Sequence, residues 1–129
     1  MSRFHNLEDF RQRAKTRLPK IMFDFIDGAA GGENGSYNNY HSIERIRLLP
    51  RVLNNVVERD LTKPIFEEEF KLPFGIAPMG MCDLAGAGTD QALAAAAAHY
   101  QIPLCLSTAA STSIEQMMDA SEGNTWFQL

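Results

Sequence analysis

A parallel α/β fold is predicted by three features of this 129-residue sequence. Phe74-Gly75-Ile76-Ala77 and Ile102 to Leu106 are short, continuous apolar runs, the pattern of strands buried on both faces. An alanine-rich helix from about Thr89 to Tyr100 separates them. After one more helix, Trp126-Phe127-Gln128-Leu129 opens a third strand. Strand, helix, strand, helix, strand implies parallel pairing with right-handed crossovers.

The first seventy residues read differently. Asn6-Leu7-Glu8-Asp9 is a helix start, with Asn6 as the cap and acids in the first turn, and the helix runs to about Arg17. Pro19 restarts a helix at its first position, where a missing N–H costs nothing. Ile21, Met22, Phe25 and Ile26 recur at helical spacing as its apolar face, and Asp27-Gly28 ends it. Gly31 to Gly35 is a loop, followed by a short helix with Tyr37, Tyr40 and Ile43 on one side. From Arg45 to Phe70, apolar pieces are broken by Pro50, Pro64 and charges, giving an antiparallel or extended lead-in. Leu84 to Gly88 is a loop before the alanine-rich helix, and Thr112 and Glu115 have capping-box spacing for the helix through Met118.

Composition narrows the function. The hydrophobic share of 45% is that of a globular chain. Twelve basic against sixteen acidic residues give a net charge of −4, with the basic residues scattered, so nucleic acid is not an expected partner. Cys82 and Cys105 form no CxxC pair and read as free thiols. MSRFHNLEDF has no apolar signal core, and the longest apolar run, Ala94 to Ala98, is far too short for a bilayer. The expected location is cytoplasmic, with peripheral membrane attachment through a segment outside this chain left open.

Three segments carry a resemblance. The first is Leu18-Pro19-Lys20 followed by Phe23-Asp24-Phe25-Ile26-Asp27-Gly28. The second is Leu72-Pro73 through Ile76-Ala77-Pro78-Met79-Gly80, and the third is Ile102-Pro103 through Leu106-Ser107-Thr108-Ala109, closing with Trp126-Phe127-Gln128-Leu129. In this order and spacing the chain resembles the FMN-dependent 2-hydroxy-acid dehydrogenases and oxidases, which include glycolate oxidase, L-lactate dehydrogenase and mandelate dehydrogenase. The resemblance implies the N-terminal part of a (β/α)₈ TIM barrel, with a helical and short β lead-in over 1–70 and the first three of eight strands over 71–129. Such barrels take about 250 residues and carry their sites at the C-terminal ends of the strands. The expectation is therefore a truncated domain that is inactive alone.

The family's cofactor is FMN, and the resemblance implies where it lies. Pro78, Met79 and Gly80 match main chain set against the flavin ring, where a missing side chain permits close approach; the plain alternative is a turn glycine beside a core methionine. Ser107 matches a flavin-binding hydroxyl, or else it caps a turn. Gln128 matches an amide serving donors and acceptors on the pyrimidine edge, or else it is satisfied by backbone. Phe25 stands where the family usually has a tyrosine that holds the substrate carboxylate, and it equally fits the apolar face of its helix. Ala29-Ala30-Gly31-Gly32-Glu33 lacks the acidic pair often found before the matching glutamate.

By resemblance the parent oxidises a small 2-hydroxy acid and hands electrons to oxygen, a quinone or a cytochrome, as a homo-oligomer. Its histidine base, and the arginine three residues later, lie beyond position 129, so no catalytic residue is assigned. His5, His41 and His99 have no partner at metal-ligand spacing, Glu67-Glu68-Glu69 reads as a solvated turn, and Gly86-x-Gly88 alone is a weak nucleotide signal. Two rivals stand beside this reading. One is another FMN barrel, such as a type 2 isopentenyl diphosphate isomerase. The other is a short, non-catalytic binding or assembly partner.

Overall fold

The computed structural model describes residues 4–129, which fall into two compact units, Met1–Asn55 and Val56–Leu129. In the first unit, α1 spans Leu7–Arg17, α2 spans Lys20–Asp27 and α3 spans Asn34–Glu44. Asn6 caps α1 by accepting the Asp9 N–H at 2.9 Å. Glu8 and Asp9 in its first turn and Lys15 and Arg17 in its last complement the helix dipole. Pro19, expected as the first helical residue of α2, is instead its N-cap, with an extended ψ of 141°. Gly28 ends α2, its N–H reaching the Asp24 carbonyl at 3.0 Å. α3 begins at Asn34, taking in the last two residues of the expected loop, and Tyr37, Tyr40 and Ile43 are exposed on it.

The apolar face expected on α2 is corrected by the structure. Ile21, Phe25 and Ile26 are exposed, and the buried residue is Phe23. The cause is the Arg11 guanidinium, which forks onto Asp27 with Nε–Oδ1 at 2.5 Å and a second bond to Oδ2 at 2.8 Å. Phe23 and Asp27 are four residues apart and share one helix face, so the fork turns the Phe23 stripe toward α1. The hydrogen bond from Arg11, followed by the charge of Arg11, holds the Asp27 carboxyl below its ordinary 3.8. A carboxyl depressed in the folded state contributes stability above its unfolded value and loses it as pH falls through the folded one. The α1–α2 pairing should therefore loosen only below about pH 4. An NMR titration of Asp27 checks this, and Asp27→Asn should abolish that pH dependence.

In the second unit the irregular lead-in resolves into an antiparallel hairpin. β1 (Lys63–Ile65) pairs with β2 (Glu68–Phe70) in the register Lys63↔Phe70 and Ile65↔Glu68. Its turn is tight enough to put Phe66 at a left-handed φ of 56°. α4 (Thr89–Tyr100), β3 (Leu104–Leu106), α5 (Ile114–Ala120) and β4 (Thr125–Phe127) follow.

β3 and β4 are parallel, with Leu104↔Thr125 and Leu106↔Phe127 in register. The strand expected at Phe74–Ala77 shrinks to a single parallel bridge, Ile76↔Leu104. Ile76 N–H donates to Pro103 O at 2.8 Å and Cys105 N–H to Ile76 O at 2.9 Å. Pro73 and Pro78 bracket the run, and proline supplies no ladder donor. Gly75 permits the approach, because a Cβ there would lie 2.5 Å from the Pro103 carbonyl oxygen. In space the order is Ile76, β3, β4, and among the described residues both outer edges are open.

The capping box also shifts by one residue. Ser113, not Thr112, caps α5, its Oγ accepting the Gln116 N–H at 3.3 Å. Ser113 has the extended backbone of a cap directly ahead of the helix, and Gln116 lies three residues on.

Alternation along the strands separates two faces. Leu104 and Leu106 pack under the helices with Ala94, Ala97, Ile102 and Met117. Alanines on α4 let that helix lie close to the strands. Cys105 and Trp126 line the opposite face, over a cavity of about 250 Å³ shared with Ile65, Gly75 and Ala77. Trp126 meets the rings of Phe66 at 5.5 Å and Phe70 at 6.0 Å. The hairpin thus covers the starting ends of the strands and leaves their C-terminal ends clear.

Candidate functional site

The C-terminal strand ends bring together two of the three segments singled out in the sequence. After Ile76 the chain passes through Pro78, Met79 and Gly80, all exposed, and turns at Met81, whose φ is 53°. After β3 it passes through Ser107, which is buried, to Ala109. The two turns are joined directly, because Met81 N–H donates to the Ala109 carbonyl at 2.8 Å. Gly80 makes that junction possible: a Cβ there would lie 3.1 Å from Ala109 Cβ and 3.7 Å from Ser107 Oγ. Its missing side chain is therefore used against the neighbouring loop. The Ser107 hydroxyl accepts the Ala109 N–H at 3.2 Å, a local turn bond that leaves its own proton free to donate.

Gln128 continues the alternation of Cys105 and Trp126, so it belongs to the face away from the helices. Its N–H donates to Leu106 O at 2.9 Å, extending the β3–β4 ladder by one bond, while its side chain is exposed. Among the described residues, the Met79 and Gly80 N–H groups and the Gln128 amide have no protein partner. Two main-chain donors, a hydroxyl and a carboxamide make an uncharged set that suits the nitrogen and oxygen edge of a flavin ring. No cation stands among these residues, so the set fits the ring and not the phosphate. Phe25 belongs to the first unit, where its ring is 60% exposed on α2.

Sequence reasoning missed Asp90. This acid, in the first turn of α4, is only 3% exposed, and its Oδ2 accepts the Ser111 N–H at 2.8 Å. A signal was present: it is the one acidic residue in an otherwise alanine-rich helix. Beside it, burial and then the hydrogen bond and charge of Asp90 push the Cys82 thiol up, so Cys82 remains a protonated donor at neutral pH. Met79, Cys82, Asp90 and Ser107 all border one cavity of about 10 Å³. Cys82 and Cys105 are both free thiols.

The model of the FMN-dependent dehydrogenase family matches residues 14–129. L-lactate dehydrogenase of Pseudomonas syringae pv. syringae (strain B728a) is 37% identical over 121 residues, covering 94% of this chain and 32% of that protein. (S)-Mandelate dehydrogenase of Pseudomonas putida is 36% identical over 124 residues, covering 96% and 32%. Among solved structures, a monotopic membrane protein, (S)-mandelate dehydrogenase, superposes with a TM-score of 0.90 at 34% identity, over 99% of this chain and 34% of that one. The chain thus spans about a third of the length of the curated relatives it matches. The solved relatives are FMN-dependent TIM-barrel dehydrogenases, so the described fold is part of such a barrel. Among the described residues no helix is long and apolar enough to cross a membrane.

Proposed function

The chain belongs to the FMN-dependent dehydrogenase family, and from that premise we propose that it supplies the flavin-facing third of an enzyme oxidising a small 2-hydroxy acid to the 2-keto acid. L-lactate, glycolate and mandelate are the candidate substrates. In this reading residues 1–70 are the lead-in and 71–129 the first barrel strands. The observation that carries it is the joining of the Met79–Gly80 and Ser107–Ala109 turns at adjacent strand ends, through Met81 N–H and Ala109 O at 2.8 Å.

Bound FMN would supply the two-electron redox chemistry. This chain's own share is orientation. Met79 and Gly80 offer main-chain N–H donors, Ser107 a hydroxyl and Gln128 an amide whose two ends donate and accept. A rigid, pre-set donor array costs no reorganisation when charge develops on its partner. Acid–base work is assigned to residues outside 1–129, and the electron acceptor is oxygen, a quinone or a cytochrome. The membrane association of the (S)-mandelate dehydrogenase relative supports peripheral attachment through a segment outside this chain.

In the complete enzyme, anaerobic addition of L-lactate, glycolate or mandelate should bleach the flavin's visible absorbance. No bleaching by any small 2-hydroxy acid would overturn the reading. Phe25 gives a second test. Phe25→Tyr in that enzyme adds a hydroxyl able to bond the substrate carboxylate, worth about 1.5–3 kcal/mol, or roughly tenfold and more in KM. An unchanged KM for every acid tried would reduce Phe25 to wall packing.

A further inference from the structure

We propose that Asp90 is a positioning residue whose carboxylate locks the loop after Ile76 to the loop after β3, holding the Met79–Gly80 main chain and Ser107 in the relation that flavin binding requires. This rests on the functional reading above. It starts from a cost, since burying a carboxylate is unfavourable unless it is hydrogen-bonded. Asp90 is 3% exposed and is the one acid of α4. A first-turn acid suits the helix dipole even when fully solvated, so helix formation does not explain its burial.

Its partners do. On one side the carboxylate accepts the Ser111 N–H at 2.8 Å, four residues beyond Ser107. On the other it borders a cavity of about 10 Å³ together with Met79, Cys82 and Ser107, and the Cys82 Sγ donates to the Met79 carbonyl oxygen at 3.4 Å. Met79, Cys82, Asp90 and Ser107 therefore close on one small space, with Ser111 bonded to its acid. Only one direct hydrogen bond, Met81 to Ala109, ties the two turns together otherwise. Its position in the first turn of α4 favours a negative charge there through the helix dipole. Asp83 supports the same end of the helix, accepting the Thr89 N–H at 3.0 Å. Asp83 from the loop after Ile76 and Asp90 toward Ser111 thus fasten both loops to the same end of a twelve-residue helix, with Asp90 buried between them.

The test uses the complete FMN-loaded enzyme with Asp90→Ala, Asp90→Asn and Asp90→Glu, reading FMN affinity and the flavin's visible absorption and circular dichroism well below Tm. Asp90→Ala should weaken FMN binding about tenfold or more and shift the flavin bands. Asp90→Asn keeps an acceptor for Ser111 and should stay within about threefold of wild type with unshifted bands. Asp90→Glu keeps the charge but lengthens the arm by one methylene, so it should displace the loop and shift the bands more than Asn does. A purely structural Asp90 would lower Tm in Asp90→Ala while leaving affinity and bands unchanged, and that result would overturn the proposal. If Asp90→Ala does not fold, the Asn and Glu pair decides, because identical wild-type bands in both sink it. A wild-type enzyme that binds no FMN would instead refute the functional reading, before any variant is compared.

Discussion

FMN added to the 129-residue chain alone is expected to stay free, with no saturable quenching of its fluorescence at submicromolar concentrations. The reason is arithmetic at the strand ends. The donors at Met79, Gly80, Ser107 and Gln128 would each contribute about 0.5–1.5 kcal/mol. Association itself costs about 4–15 kcal/mol, and a micromolar site must net roughly −8 kcal/mol. Stacking on one open side of the β3–β4 pair and its Ile76 bridge does not close that gap. Barrels of this class hold phosphate at the loops after their last two strands, and the donor set here contains no cation. Stoichiometric, submicromolar binding by the pure chain would show that these loops hold the cofactor unaided, contrary to this account.

Met117→Ala should be the most damaging single substitution in the second unit, lowering its unfolding free energy by about 2–5 kcal/mol. Met117 is 1% exposed and fills the space between α4 and the strands, against Ala94, Ala97, Leu104 and Leu106. The alanines around it have no rotamers with which to collapse into a void, which favours the upper part of that range. Met117→Leu, which conserves volume, should cost less than about 1.5 kcal/mol. Urea unfolding followed by far-UV circular dichroism measures both. Equal, small losses in the two variants would mean that α5 is not packed as described.

What the sequence displayed well was governed by local or short-range forces. Asn6 and Gly28 punctuate their helices, and the alanine run places α4 at Thr89–Tyr100 as expected. The β3 and β4 pairing followed from apolar runs alone. The failures have a common cause, in that a distant partner decided between locally equivalent choices. α2 is expected to present one apolar face, of Ile21, Met22, Phe25 and Ile26, whereas the buried residue is Phe23, on the side where Arg11, sixteen residues away, holds Asp27. The Phe74–Ala77 run has strand composition, yet its flanking prolines limit pairing to Ile76. Thr112 and Ser113 are chemically alike, and only backbone geometry distinguishes the cap. At the site, Gly80 is expected as main chain set against a flavin ring, and in the described fold the neighbour crowding its missing side chain is Ala109. Asp90 went unnoticed because its partner, Ser111, is twenty-one residues away.

The open edges of the sheet have a consequence in the kinetics of self-association. At the outer side of β4, carbonyl and amide groups are spaced to receive another strand, and their natural complement in a solution of identical molecules is the same edge on a second one. Capture of that kind is second order in chain concentration, whereas completion of the sheet by residues joined to it is first order and governed by an effective concentration near the millimolar range. Dilution therefore favours the monomer, and crowding favours a lateral ladder of chains. Trp126, held between Phe66 and Phe70 at the guarded end, would report little of that event. The signal would appear at the unguarded edges, as amides there gained protection from hydrogen exchange in proportion to concentration.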